Sequence, residues 1–256
     1  MIASDKVAVT VVIAARTEAA NIEQCVSSVA WAGEIIVVEN DSTDDTADLA
    51  KAAGATVMSN PFVTIGAQRN AAIARASSEW IFVVDADERA SPELGEEIRL
   101  VTKRPTANAY RVPRRNFFLG SEIRHGGWDR DRPVRLFKSN LRYDSSRVHE
   151  HVVTDGAVGE LKNALTHEPY ATLDTYMEKL DRYSRWWAED RFERGKRTHP
   201  IGAWARSRLR FASMYVVKLG FLDGEAGVIL SMLASMSVTA KYARLWELQK
   251  RNQESK

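Results

Sequence analysis

Four short apolar runs rich in β-branched residues recur through the first hundred positions, each followed by a stretch of helical composition. They are residues 7–14 (VAVTVVIA), 34–39 (EIIVVE), 55–59 (ATVMS) and 80–84 (WIFVV). The segments 18–29, 46–53 and 67–76, and the one opening at Ser91-Pro92-Glu93, read as helices. Ser42-Thr43-Asp44 offers cap chemistry for the second, Gly54 ends it, and Pro92 sits just inside the start of the fourth. Strands that are apolar at nearly every position are buried on both faces. With helices between them, they imply a parallel sheet with right-handed crossovers. Such sheets bind ligands at the carboxyl ends of their strands. Chemistry is therefore expected in the loops at 16–18, 39–44 and 85–88.

The pattern changes after residue 108. Short strands at 109–112, 134–138 and 158–165 are joined by Gly- and Asp-rich turns, which predicts a mixed or antiparallel extension of the same sheet. From residue 172 the chain reads as helical to 249, with breaks at His199-Pro200 and Leu222-Asp223-Gly224. The expected division is a catalytic domain over 1–170 and a helical extension over 171–256.

Asp85-Ala86-Asp87 closes the fourth strand. Two carboxylates at i and i+2, where a strand opens into a loop, can reach one divalent cation. Hard cations such as Mg²⁺ take oxygen ligands and often share them between carboxylates and substrate phosphates. A cation on a diphosphate stabilises the charge that develops as the diphosphate leaves.

Three strings carry a resemblance: 34–44 (EIIVVENDSTD), 66–71 (GAQRNA) and 80–88 (WIFVVDADE). Together they resemble the inverting family 2 glycosyltransferases. Gly126-Gly127-Trp128, Arg135-Leu136-Phe137, Val148-His149-Glu150 and the helical end at 218–224 and 241–245 resemble the subgroup of lipopolysaccharide inner-core β-glucosyltransferases. The resemblance implies a GT-A-like nucleotide-binding fold with a mostly parallel sheet and a helical C-terminal extension. It implies transfer from a nucleotide-diphosphate sugar, a UDP-hexose, to a lipid-linked or lipopolysaccharide-core glycan. Glu18, Glu39 and Asp41 would line the nucleoside pocket, and Arg69 would approach the diphosphate. Asp85 would face ribose or metal, and Asp87 would hold Mg²⁺ or Mn²⁺, with His167 as a third ligand. Thr17-Glu18-Ala19 stands where the family usually has Asn-Glu-Glu. Glu39 replaces an Asp, and Asp41 often a Gly. These departures bear on the donor base and sugar.

Inversion by a single displacement needs a base for the acceptor hydroxyl. Glu150 is the first candidate and Asp129 the second, with Asp131 nearby. His149 and His151 have a spacing that could suit zinc, but no cysteine or third ligand accompanies them.

Residues 1–100 hold 7 Lys/Arg against 16 Asp/Glu, whereas residues 171–256 hold 16 against 10. The acidic front hides a basic back that suits an anionic partner. Between 176 and 221 arginines alternate with Trp and Phe, the composition of a helix lying at an anionic membrane surface. No nucleic-acid motif is present, so nucleic acid is not an expected partner. Cys25 is the only cysteine, which excludes an internal disulfide and fits a reducing compartment. Residues 1–10 lack a signal-peptide pattern, and no uninterrupted apolar run nears the ~20 residues of a membrane span. The expectation is a cytoplasmic protein, peripheral at the inner face of the cell membrane. Two alternatives stand beside the transferase. A nucleotide-sugar-forming nucleotidyltransferase would want a Gly-rich phosphate loop where 14–18 reads AARTE. An inactive membrane-associated scaffold of the same fold would keep no need for Asp85, Asp87 and Glu150.

Overall fold

A computed structural model describes residues 6–61, 63–146 and 150–254. Its strands are β1 (Val7–Ala15), β2 (Ala32–Glu39), β3 (Thr56–Ser59), β4 (Trp80–Asp85), β5 (Glu88–Ala90), β6 (Ala109–Arg111), β7 (Arg114–Phe118), β8 (Ser121–Ile123), β9 (Val134–Lys138), β10 (Arg142–Tyr143), β11 (Val152–Val153), β12 (Val158–Glu160) and β13 (Leu165–Tyr170). Its α-helices are α1 (Ile22–Ser28), α2 (Thr46–Ala52), α3 (Ile65–Ile73), α4 (Pro92–Lys103), α5 (Leu173–Glu193), α6 (Pro200–Ala212) and α7 (Gly224–Glu254). A π-helical turn, Ser213–Val217, and a 3₁₀ turn, Gly220–Asp223, lie between the last two.

The chain forms two compact units, one of residues up to Arg114 with Asp131–His167, the other of Arg115–Arg130 with Glu168 onward. A single cut after 170 was expected. Instead 115–130 groups with the helices, because the β7–β8 hairpin pairs Asn116 with Ile123 and Phe118 with Ser121 and lends its apolar side chains to the helical core.

In the first unit seven strands form one sheet in the order β12-β6-β9-β4-β1-β2-β3. Strands β1 to β4 are mutually parallel, β9 runs antiparallel beside β4, and β6 is antiparallel to β9. The late short strands thus extend the same sheet, as expected. The predicted strand 158–165 is in fact two, β12 and β13, separated by Leu161–Ala164 outside any strand.

Alternation along each strand explains the burial on both faces. Val9, Val11, Ile13, Phe82 and Val84 pack on one side with Ile22, Val26, Leu94 and Ile98 of α1 and α4. Val12, Ile81 and Val83 pack on the other with Ala72 and Ile73 of α3 and with Tyr143. Burying a Val, Ile or Phe side chain stabilises by about 1.5–3 kcal/mol, and here each central strand gains on both faces.

Side-chain oxygens accept backbone N–H groups at the starts of three helices. The Thr64 and Ser91 hydroxyls accept the N–H groups of Ala67 and Leu94 at the starts of α3 and α4. At α2 Asp45 makes no side-chain cap bond, but Asp44 Oδ1 accepts the Thr46 N–H at 3.2 Å, the cap chemistry expected of 42–44. Ser42 and Asp44 are drawn across to the β1–α1 loop, where they accept from the backbone N–H groups of Thr17 and Ala19 at 3.0 Å each.

In the second unit Phe118, Ile123, Tyr176, Met214 and Leu230 form the core. Helices α6 and α7 approach through hydroxyls: Ser207 Oγ bonds the Ser235 carbonyl at 2.9 Å, and Thr239 Oγ1 donates to Ser207 Oγ. Gln249 pairs with both the N–H and the carbonyl of Thr198, tying the α5–α6 turn to the end of α7. One helical stretch, Gly220–Gln253, is long and apolar enough by composition to cross a membrane, with mean hydropathy 1.4 over its best window. The sequence has no uninterrupted apolar run of that length, because Ser and Thr stand within this one. Ser231 returns its hydroxyl to the carbonyl of Gly227 one turn back, so it does not break the helix.

Candidate active site

Asp85 ends β4 and Asp87 lies just beyond it, at the carboxyl edge of the sheet. The two carboxylates part company. Asp85 is clasped by Arg69 from α3 at 2.5 Å, by Arg114 from β7 at 3.1 Å and by Arg135 from β9. Arg135 and Arg114 also pair with Glu88, at 3.2 and 2.5 Å, and Arg114 reaches Asp131 at 2.9 Å. Glu88 is fully buried and accepts the Asp85 backbone N–H at 2.8 Å. Burial pushes the Asp85 carboxyl up, but Arg135, Arg69 and Arg114 outweigh it and hold it well below the usual carboxylate range.

Arg69 is the bridge of the cluster. Its Nη2 meets Asp85 and its Nη1 meets Glu150, both at 2.5 Å, and its guanidinium lies 5.0 Å from the centre of the Tyr143 ring. It is buried, not the helix-surface arginine that its position in a short helix could have made it. The rest of the 66–71 string exists to place it. A Cβ on Gly66 would come within 3.0 Å of the Asp144 carbonyl and 3.4 Å of Glu150 Cβ, so glycine lets α3 approach this segment closely. Gln68 Nε2 donates to the carbonyls of Asn60 and Pro61. Asn70 pairs with both backbone groups of Tyr143 at 2.9 Å.

Asp87 turns toward His167, whose Nε2 lies 3.7 Å from Asp87 Oδ1. The reason is register: β13 pairs antiparallel with β5 so that His167 stands opposite Glu88, next to Asp87. Burial pushes the His167 pKa down, against the pull of Asp87 and Glu88, so the imidazole is neutral near pH 7. The expected trio of Asp85, Asp87 and His167 is not assembled. Among the described residues no three such groups converge on one point, since the arginines draw Asp85 away. A cation held by Asp87 and His167 and completed by phosphate oxygens does fit this donor set, and the imidazole favours Mn²⁺ over Mg²⁺.

The remaining candidates divide between the units. Glu39 ends β2, where its Oε1 accepts the Ser42 N–H at 2.5 Å, and Asp41 is exposed in a left-handed conformation, φ 47°. Glu18 accepts from Asn21 Nδ2 at 2.8 Å, and its own N–H donates to Thr46. These three therefore occupy the loops after β1 and β2, stitched together by Ser42, Asp44 and Thr46. Asp129 belongs to the second unit, 3.8 Å from Arg130. Val148 and His149 lie outside the described residues, so the 148–150 string is seen only through Glu150.

Sequence reasoning assigned no role to Glu88, Arg114, Arg135 or Asn40. Arg135 stood within a quoted string, yet nothing local shows that its guanidinium turns inward. Asn40 is buried at the end of β2 with its Oδ1 unpartnered, beside the expected nucleoside loop.

A strand-end acidic pair and a buried arginine cluster thus lie at the carboxyl edge of a mixed sheet in which β1–β4 run parallel, an α/β arrangement. The family model for glycosyl transferase family 2 matches residues 10–165, and the chain belongs to that family. It is 28% identical to the lipopolysaccharide core biosynthesis glycosyltransferase LpsC of Rhizobium meliloti, over 88% of this chain and 90% of that one. It is 26% identical to an uncharacterized glycosyltransferase, RT0209, of Rickettsia typhi, over 92% and 86%. Among solved structures it is similar to glucosyl-3-phosphoglycerate synthase from Mycobacterium tuberculosis in complex with Mn²⁺, UDP and glucosyl-3-phosphoglycerate, with 24% identity, a TM-score of 0.35 and 43% of each chain covered.

Proposed function

We propose that this glycosyltransferase moves a hexosyl group from a UDP-sugar, with inversion, onto a lipid-linked or lipopolysaccharide-core glycan, and that it needs a divalent cation. The observation that carries the reading is the single buried guanidinium of Arg69 shared by Asp85 and Glu150. It links the donor edge of the sheet to the candidate base.

Glu18, Glu39 and Asp41, with Asn40 beneath them, receive the nucleoside; carboxylates accept from uracil N3–H and ribose hydroxyls. Asp87 and His167 would hold Mn²⁺ or Mg²⁺, and a cation there would supply positive charge against the departing diphosphate. Arg69 is neutralised by two carboxylates until a diphosphate competes for it, and guanidinium–phosphate pairs are strong and bidentate. When Arg69 turns to phosphate, Glu150 is released to take the acceptor hydroxyl proton. Donor binding before acceptor binding follows from that exchange. Asp85 stays with Arg114 and Arg135 and fixes the floor of the site. The helical unit, with its basic and aromatic residues between 176 and 221, holds the enzyme at an anionic membrane surface on the cytoplasmic side, where such an acceptor is found.

A thermal-shift panel of nucleoside diphosphates with and without Mn²⁺ tests this reading. UDP with Mn²⁺ is expected to raise the melting temperature most, because a ligand at 100 times its Kd stabilises by about 2.7 kcal/mol. No shift with any diphosphate would remove the donor assignment and favour a scaffold.

A further inference from the structure

The corner between α6 and α7 is built for contact with something apolar. Val216, Val217, Leu219 and Leu222 expose 45–76% of their surface within a few residues, beside Trp204 and Leu209 on the outer face of α6, themselves 61% and 68% exposed. Positions 201, 204, 208, 209, 212 and 216 fall on one helical face, so the corner continues a stripe.

The corner is not a loose loop. Leu219 adopts φ 59°. A Cβ on Gly220 would meet the Met214 carbonyl at 2.7 Å, and one on Gly227 would meet the Gly220 carbonyl at 1.9 Å, so the turn is closed tightly on the start of α7. The buried Asp223 carboxylate accepts the backbone N–H groups of Arg124 and His125 at 3.1 and 2.9 Å and pairs with His125 Nδ1 at 2.8 Å. Gly126 N–H donates to the Lys218 carbonyl. Apolar side chains held this firmly in the open are not explained by folding of the unit itself.

Charge identifies the occupant. From Pro200 to Leu222 the sequence carries Arg206, Arg208, Arg210 and Lys218 and no carboxylate. The Arg208 guanidinium lies 5.6 Å from the Trp204 ring centre, an aromatic–cation pair suited to the headgroup layer. A second copy docking by a two-fold axis would bring like charges together with no acid to offset them. An anionic lipid surface matches both features.

We infer that the corner formed by residues 216–222 inserts its apolar side chains into the acyl edge of an anionic lipid leaflet, with Arg208 and Lys218 on the phosphates. The inference rests on the peripheral-membrane reading above and goes further, since simple adsorption would need only the charges.

The test uses the full chain and vesicles of phosphatidylglycerol and phosphatidylcholine in equal parts, at low and high salt. Part of the wild-type binding is expected to survive high salt. Val217→Ser/Leu222→Ser should lose that part and weaken the partition by roughly 10–100-fold, as expected for removing two inserted side chains. Both positions are exposed, so the fold is retained, which circular dichroism checks. A second measurement needs no loss of binding: Val217→Cys carrying a fluorophore should be quenched by lipids brominated in the acyl chains, and buried Cys25 stays unlabelled. Wild-type-like binding of the double variant with an unquenched label would overturn insertion while leaving electrostatic adsorption intact. No vesicle binding by the wild type would sink both readings. Lipid-free self-association abolished by the double variant would give the corner to a second copy and overturn the proposal.

Discussion

Glu150→Gln is expected to lower turnover with the true acceptor by about 10²–10⁴-fold, the usual cost of losing a general base, while donor binding stays near wild type. Glutamine keeps the shape and can still accept from Arg69 Nη1, now 2.5 Å from the carboxylate. Only the basicity goes. A purely structural ion pair gives another pattern: loss of the charge would loosen Arg69, raise the donor KM and lower the melting temperature, with little change in kcat. Steady-state kinetics with separate variation of donor and acceptor tell these apart. Asp129→Asn is the control. If it abolishes turnover and Glu150→Gln does not, the roles must be exchanged.

Asp85→Ala is expected to destabilise the first unit by about 3–5 kcal/mol, the range for breaking a buried ion pair from one side. Arg69 and Arg135 are both buried, and Arg114 nearly so; each would lose one counter-charge and be left with Glu150 or Glu88. Urea titration of wild type and variant measures the difference as a shift of midpoint. The pH dependence has a fixed sign. The Asp85 pKa is lower in the folded protein than in the unfolded chain, so its contribution is fully present above the unfolded value of about 3.9. It is lost as pH falls through the folded value. The stability gap between wild type and Asp85→Asn should therefore stay constant from pH 8 to 5 and narrow only in strong acid. A gap that closed near neutral pH would contradict the three-arginine clasp.

The parallel half of the sheet was legible because strands buried on both faces leave few polar positions to misread. Val7–Ala15 and Trp80–Asp85 carry their own signal. The loops that follow them are then located by topology alone, which is why Asp87 could be singled out, whereas Arg69 was reached only through the resemblance of the 66–71 string. What could not be read is non-local. Spacing suggests that Asp85 and Asp87 share a cation, yet the partners that separate them come from positions 69, 114 and 135 on three other elements. His167 reaches Asp87 through the antiparallel register of β13 on β5, a pairing that the resemblance anticipated but that the local sequence of a short polar strand does not reveal. The apolar corner was legible only in part: 176–221 reads as a helix at a membrane surface with a break at 222–224, and the fold is what shows Val216, Val217, Leu219 and Leu222 exposed together at one turn.

The claim on which the account turns is that a nucleoside diphosphate binds at the carboxyl edge of the sheet through a cation on Asp87. Calorimetry of UDP with the wild type and with Asp87→Ala, each with Mn²⁺ and with chelator, tests it directly. The account predicts tight, Mn²⁺-dependent binding to the wild type and weak, Mn²⁺-independent binding to the variant. Equal affinities in the presence of Mn²⁺ would contradict it.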